Sequence, residues 1–575
     1  MFDKKRTTLF EVAPKATKGL GVEAPAFNNI FEREQFKSEH ETRSGNFSLK
    51  YDTSGNAFVD DFAAITNYRK ARSFQEVSET MNRLWSIDPL TTVKLSVYIR
   101  TITRGAVLPD GKKLSTQRGQ GLKAEFFMRM IWLAVYHPDT FKRNLPIFIT
   151  AGSWDDIFEI MRLDLEYNGK VNKALDWKFL LRFICSGLAD EGQSNLVKKY
   201  LPQMKPSKKC QSMRSQCNNF IAKKIAQAAF DMGETDEDKF RAYKSYRKLK
   251  ASGNAHQWQQ AISRQDYKNL DFDTIAGRAL NLLAKSKFLK NHGLEKAYEE
   301  WLAKKPVAKY TGFVYELFPE IYCGWSSSNK TPDLPKYQIE TINKQFAQLI
   351  ETAKQDMNRK TNLIAVLDTS GSMTSQIPGL KISAYHIAKS IGLYLSSLLE
   401  GPFANTVLEF SNTCLIKTWR GNTPFEKFYN YSGNGFCRTN LLSVANKLVE
   451  MRAEYKESDF PTGIVCISDG EFNYAGNTQT TFEAFRKILR TAFTKEYVDN
   501  FVILLWDIPN GYYSSSIRPK FEGLCDDAYT FYMSGLDPAG IAFLTGKTPV
   551  ESIPKNALEL FQAAMNQELL NMLTL

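Results

Sequence analysis

The chain has 575 residues, 43% of them hydrophobic and 13% aromatic. That length exceeds one core and predicts two or more packed domains, and the apolar content excludes a disordered chain. The formal charge of +13 is one-sided: residues 1–350 hold 55 Lys and Arg against 39 Asp and Glu, whereas residues 351–575 hold 20 against 23.

A positive excess confined to one part of a chain is the electrostatic footprint of a nucleic-acid binder, or of a solvated lysine-rich surface. No run approaches the ~20 apolar residues that span a bilayer, so no membrane partner is expected. The opening Met1-Phe2-Asp3-Lys4-Lys5-Arg6 leads into polar sequence rather than an apolar leader. Eight cysteines without CxxC or CxxH spacing predict free thiols in a reducing compartment, the cytoplasm, rather than structural zinc.

Residues 1–55 are polar and show little period, which predicts a poorly ordered segment. Residues 56–356 read as helical. Ala57–Ala71, Phe74–Ile87, Leu90–Thr103, Ala124–His137, Trp154–Leu163 and Trp177–Leu188 repeat apolar residues at three- and four-residue spacing. Pro89, Pro138 and Pro202 punctuate them. Many helices joined by short turns predict an all-α solenoid of degenerate HEAT-like repeats. Lys304–Lys336, rich in Pro, Gly and Ser, is an excursion before a helix over Tyr337–Asp356.

Two basic stretches stand out in this region. On the Gly-rich segment with Gly105, Gly111, Gly119 and Gly121 lie Arg104, Lys112, Lys113, Arg118 and Lys123, where small residues allow close approach to phosphate. The second holds Lys205, Lys208, Lys209, Arg214, Lys223 and Lys224, then Lys244, Arg247 and Lys248 with Tyr243 and Tyr246 interleaved. Basic side chains contact phosphate and aromatic rings stack on unpaired bases; the bland alternative is a solvated helix face with its tyrosines half in the core. The acidic run Glu234–Asp238 is placed to pair with some of these charges.

From residue 357 to 550 strands and helices alternate. Leu363–Leu367, Thr406–Phe410, Cys414–Trp419, Gly463–Ile467, Phe501–Trp506 and Ala528–Met533 read as strands; Ile382–Leu399, Leu441–Arg452, Phe482–Ala492 and Pro538–Leu544 read as helices. This order predicts an α/β doubly wound parallel sheet. Residues 551–575 close the chain with an amphipathic helix.

Ligands of such sheets bind at the carboxyl ends of the strands. Asp368 follows the first strand directly, with Ser370 and Ser372 next; Asp469 follows the strand ending at Ile467; Thr439 precedes the helix from Leu441. Two carboxylates and three hydroxyls are hard oxygen donors that suit Mg²⁺ or another divalent cation such as Mn²⁺. The set resembles the metal-ion-dependent adhesion site of von Willebrand factor A domains. The resemblance implies direct ligation by Ser370, Ser372 and Thr439, ligation through water by Asp368 and Asp469, and an open position for a partner's carboxylate. Ser370 stands where a phosphatase motif needs a second Asp, no P-loop occurs, and no Ser-His-Asp arrangement is visible, so no catalytic residue is expected.

The order of parts resembles the Ro/TROVE family of RNA-binding proteins, and most of all its Ro-like branch from plants, bacteria and phages. The segments that carry the resemblance are Phe58–Phe62, Trp85–Leu95, Arg100–Arg104, Arg118-Gly119-Gln120-Gly121, Gly152-Ser153-Trp154-Asp155-Asp156, Tyr200-Leu201-Pro202 and Tyr246–Leu249. Gln120 departs from it, standing where a lysine is usual. The resemblance implies a non-catalytic ribonucleoprotein component: helical repeats closing into a ring that takes single-stranded RNA ends in its hole and structured RNA on its basic outer face, small structured or misfolded non-coding RNA as partner, and an A domain for architecture or docking. The alternative is a protein-interaction scaffold, including a phage assembly or virion protein, that takes acidic partners at the metal site.

Overall fold

The structure, a computed structural model, describes residues 30–43, 49–65, 72–101, 104–108, 111–168, 175–206, 210–230, 235–253, 257–307, 310–319, 331–357, 362–377, 380, 382–433, 438–473, 480–508, 521, 529–534, 541, 544 and 553–575. The chain opens with α1 (Ile30–Glu39), the hairpin β1 (Glu41–Arg43) and β2 (Leu49–Tyr51), and α2 (Ala57–Ala64). Then come α3 (Phe74–Ile87), α4 (Pro89–Arg100), the hairpin β3 (Arg104–Val107) and β4 (Lys113–Gln117), α5 (Ala124–Tyr136), α6 (Pro138–Ala151) and α7 (Asp155–Asn168). Helices α8 (Trp177–Ala189), α9 (Ser194–Tyr200), α10 (Met213–Phe230), α11 (Asp236–Ser252) and α12 (Gln257–Ser263) follow. After them lie α13 (Gly277–Lys285), α14 (Phe288–Asn291), α15 (Glu295–Lys304) and α16 (Lys336–Asp356). The last stretch holds β5 (Leu363–Asp368), α17 (Ala384–Ser396), β6 (Thr406–Phe410), β7 (Cys414–Thr418), α18 (Pro424–Asn430) and α19 (Leu442–Met451). It ends with β8 (Gly463–Ser468), α20 (Thr481–Leu489), α21 (Lys495–Asn500), β9 (Val502–Asp507), β10 (Thr530–Ser534) and α22 (Ala557–Met565).

Local chemistry sets many of these boundaries. Ser73 and Glu76 form a reciprocal capping box that starts α3. Asp88 accepts from Thr91 N and Pro89 occupies the first turn of α4, where a missing N–H costs nothing. Asp176 caps α8 in the same way.

The chain packs as two compact units. The described residues of the first fall within Arg72–Thr274 and Met565–Leu575; the second is Leu20–Ala71 with Ile275–Ala564. In the first unit helices pack on near neighbours in sequence: α4 on α3, α5 and α6, α5 on α7, and α10 on α7, α8 and α11. Trp132, Tyr98 and Phe126 are fully buried among them. The hairpin β3–β4 interrupts this helical region; Lys113 pairs with Val107 and Gln117 with Arg104. It sits against the C-terminal tail, where Leu569, Leu570 and Leu573 are buried. Leu569 N donates to Gln117 Oε1 at 2.9 Å and Ser115 N to Glu568 Oε2 at 3.2 Å. Thr574 N donates to Asn144 Oδ1 of α6 at 2.9 Å. The tail is therefore helical only to Met565, with a 3-10 turn at Leu570–Met572 rather than a helix to its last residue.

The second unit is a six-stranded mixed sheet flanked by helices, with strand order β10-β9-β8-β5-β6-β7. β5, β8, β9, β10 and β6 run parallel, and β5 and β8 are buried throughout, as a two-sided parallel strand requires. The parallel sheet expected from the sequence needs one correction: β7 pairs antiparallel with β6. Only residues 411–413 join them, too few for the crossover that a parallel pair demands. The sequence before residue 55 shows little period, yet part of it is structured by docking. Tyr51 N donates to Phe521 O at 2.7 Å and Phe521 N returns to Tyr51 O at 2.8 Å. Phe561 of α22 packs on Phe58 and Phe62 of α2. Of the expected helix Pro538–Leu544 only Ile541 and Leu544 are described, both buried. Among the described residues no helix is long and apolar enough to cross a membrane.

Candidate metal centre and basic helical face

Asp368 ends β5 and Asp469 follows β8, its neighbour in the sheet, so the two carboxylates emerge at the same edge. Both are buried, at 0% and 5% exposure. Ser370 N donates to Asp368 Oδ1 at 2.8 Å, and Ser468 Oγ donates to Asp368 Oδ2. Ser370 Oγ and Ser372 Oγ lie 3.1 Å apart on the turn that follows. Thr439 is buried on the loop before α19. Asn473 N donates to Thr439 O at 2.9 Å and Asn440 N to Ser411 O at 2.7 Å, which ties this loop to the ends of β8 and β6. The sheet thus brings all five sequence-expected residues to its carboxyl edge.

Burial first, and then the charge of Asp469, pushes the Asp368 carboxyl well above the ordinary carboxylate range. A buried acid raised in this way by a neighbouring carboxylate, beside a row of hydroxyls, is part of a donor set that a small divalent cation would relieve. The fit lies in oxygen chemistry rather than in a dense acidic cluster: among the described residues no group of three or more His, Cys, Asp and Glu gathers. Sequence reasoning missed one neighbour. Lys50 of β2 is 3% exposed, its Nζ donates to Gly470 O beside Asp469, and it lies 5.2 Å from the centre of the Phe472 ring. No periodic signal in residues 41–51 announced it.

The first unit carries the charge. Residues 72–274 hold 33 Lys and Arg against 22 Asp and Glu, whereas residues 20–71 and 275–564 together hold 37 of each. On α11, Lys244, Arg247 and Lys248 are exposed and share one side. Lys205 is exposed as well. Arg214 reaches Glu159 at 2.6 Å while remaining largely exposed. Lys223 and Lys224 lie over the rings of Tyr243 and Phe220 at 5.8 and 5.7 Å. Lys208 and Lys209 fall outside the described residues. Tyr246 is core: fully buried, its hydroxyl donates to Pro202 O at 2.7 Å, so it offers no stacking face. The acidic run does pair locally, Glu237 with Arg241 and Asp236 with Lys239.

On the second basic stretch, Lys112 faces Glu568 at 3.5 Å, Lys123 faces Asp155 at 3.7 Å, and Lys113 is exposed. Arg118 is half-buried and its backbone N donates to Gln567 Oε1 at 2.6 Å. Arg104 lies in β3, with its side chain outside the described residues. Gly119 serves packing: a Cβ there would sit 2.3 Å from Tyr98 O. The Gly152–Asp156 segment is structural too. Arg100 Nε and Nη2 grip Asp156 at 2.8 and 3.1 Å, and a Cβ on Gly152 would fall 1.9 Å from Asp156 Oδ2.

Residues 44–299 match a family model described as "Domain of unknown function (DUF2828)", and residues 362–543 match one described as "Domain of unknown function (DUF7788)". No curated protein matches the chain. Among solved structures, the crystal structure of the RO (RSR) protein of Deinococcus radiodurans is similar at 12% identity and a TM-score of 0.37, covering 89% of this chain and 99% of that one.

Proposed function

We propose that the protein is a non-catalytic, cytoplasmic RNA-binding protein. In this reading the first unit is a degenerate HEAT-like array that holds small structured or misfolded RNA. The second unit is a von Willebrand factor A-like domain whose Asp368, Ser370, Ser372, Thr439 and Asp469 hold Mg²⁺, for architecture or for docking an acidic partner. The observation that carries it is charge segregation: +11 over residues 72–274 and zero over residues 20–71 with 275–564. A surface kept soluble by lysine needs no such partition, whereas a polyanion binder does.

Filter binding across a salt series tests the reading. RNA affinity falls linearly in log[salt], by roughly 0.7 per neutralised phosphate on a single strand. Salt-independent or absent binding sinks it. Asp368→Ala abolishes Mg²⁺ binding in calorimetry and leaves RNA affinity within about twofold, because the donors and the basic helices lie in different units.

A further inference from the structure

The first unit also carries a cavity of about 470 Å³ lined by residues of α6, α8 and α9. Its wall is aromatic. Trp154 and Phe183 stand 5.4 Å apart at 31°, and Tyr200 lines the same space. Gly187 admits the indole, since a Cβ there would lie 2.4 Å from Trp154 Cη2. Trp154 Nε1 donates to Gln193 Oε1 at 3.1 Å, which fixes the ring and leaves the Gln193 amide N–H₂ at the wall. Asp190 adds a carboxylate acceptor beside it. Val107 and Leu196 line the cavity yet are 56% and 47% exposed, an unusual exposure for apolar side chains. Lys199 Nζ lies 5.2 Å from the centre of the Tyr200 ring, so a cation borders the cavity.

We propose that this cavity takes an unpaired base of single-stranded RNA, which deepens the RNA-binding reading and rests on it. The volume is that of an ordinary small-ligand site. Trp154 is buried and backs the wall, while the half-buried Phe183 and Tyr200 rings accept the π face of any base, Gln193 and Asp190 offer one donor and one acceptor to its edge, and Lys199 meets the adjoining phosphate. An apolar peptide side chain would use the same rings, but the +11 charge of residues 72–274 favours the polyanion.

The test uses the full chain with short oligouridine and with an RNA duplex, comparing the wild type with Phe183→Ala and Leu196→Asp. Both variants bind oligouridine about tenfold more weakly, the scale of removing one base–ring stack. Duplex affinity stays unchanged, since paired bases cannot enter. Oligomers carrying 4-thiouridine crosslink to the segment from Phe183 to Tyr200. Wild-type oligouridine affinity in both variants, with crosslinks elsewhere, overturns the cavity assignment and leaves the RNA reading standing. A wild type that binds neither RNA removes both. Unchanged melting temperatures exclude misfolding as the cause, and because Leu196 is exposed, its variant keeps the test valid if Phe183→Ala unfolds. Capture of an apolar peptide at the cavity in preference to oligouridine also overturns the proposal.

Discussion

Arg100 and Asp156 lie 56 positions apart and are 2% and 4% exposed. A buried ion pair adds little when intact, but removing one partner strands the other's charge. Asp156→Ala is therefore expected to cost about 3–5 kcal/mol in urea unfolding. Asp156→Asn, which keeps an acceptor near the guanidinium, should cost less. Tyr246→Phe removes a single hydroxyl bond to Pro202 O and should cost about 1 kcal/mol while leaving RNA affinity unchanged. These residues were visible in the sequence as members of motifs. Their role was not, because a pair formed between α4 and α7, with two helices and a hairpin between them in the chain, leaves no periodic trace in one dimension. The candidate metal-site residues were more legible, since they lie on the loops that follow an apolar strand or precede a helix, and the chain order fixes their edge of the sheet. Lys50 was not, because a three-residue strand in a polar segment carries no pattern.

Among the elements, α3 spans the residues that apolar period predicts, Phe74–Ile87, because the Ser73–Glu76 capping box starts it where the period begins and its signals are local. The hairpin β3–β4 escaped that logic. Its strands are short and basic, and its placement depends on Gln567, Glu568 and Leu569 from the far end of the chain. Deleting residues 567–575 should lower the melting temperature of the first unit, since it exposes the sites that bury Leu569, Leu570 and Leu573. Hydrogen bonds from Ser115, led by its backbone N–H, and the nearby Lys112 hold the Glu568 carboxyl below its usual range. A folded pKa below the unfolded one gives a contribution present above the unfolded value and lost as the pH falls through the folded one. Hydrogen exchange at Ser115 should accordingly rise relative to the rest of β4 on acidification, and Glu568→Gln should remove that difference. On α11, Lys244→Glu with Arg247→Glu and Lys248→Glu should weaken RNA binding and flatten its salt slope by about 2, roughly 0.7 for each phosphate that is no longer neutralised.

At the scale of the whole molecule, the sequence conveyed that a basic helical part precedes an acidic α/β part. The two compact units redraw this boundary. The described residues within 20–71 and 275–356 group with the sheet although they read as unpatterned or helical sequence. Helical period reports which face of a helix is apolar; it does not report which partner covers that face. The redrawn division sharpens the electrostatics, because the second unit becomes neutral and all of the excess falls outside it.

The tail that fastens on α4, α6 and β4 also has a kinetic meaning. Leu569, Leu570 and Leu573 return to helices that precede them by more than 400 positions. Contacts that close so long a loop carry a larger entropic cost than the local helix pairs around them. The seam between the tail and β4 is therefore a natural place for the first unit to open locally, and amide exchange at Leu569 and Ser115 would report that opening apart from the buried helices.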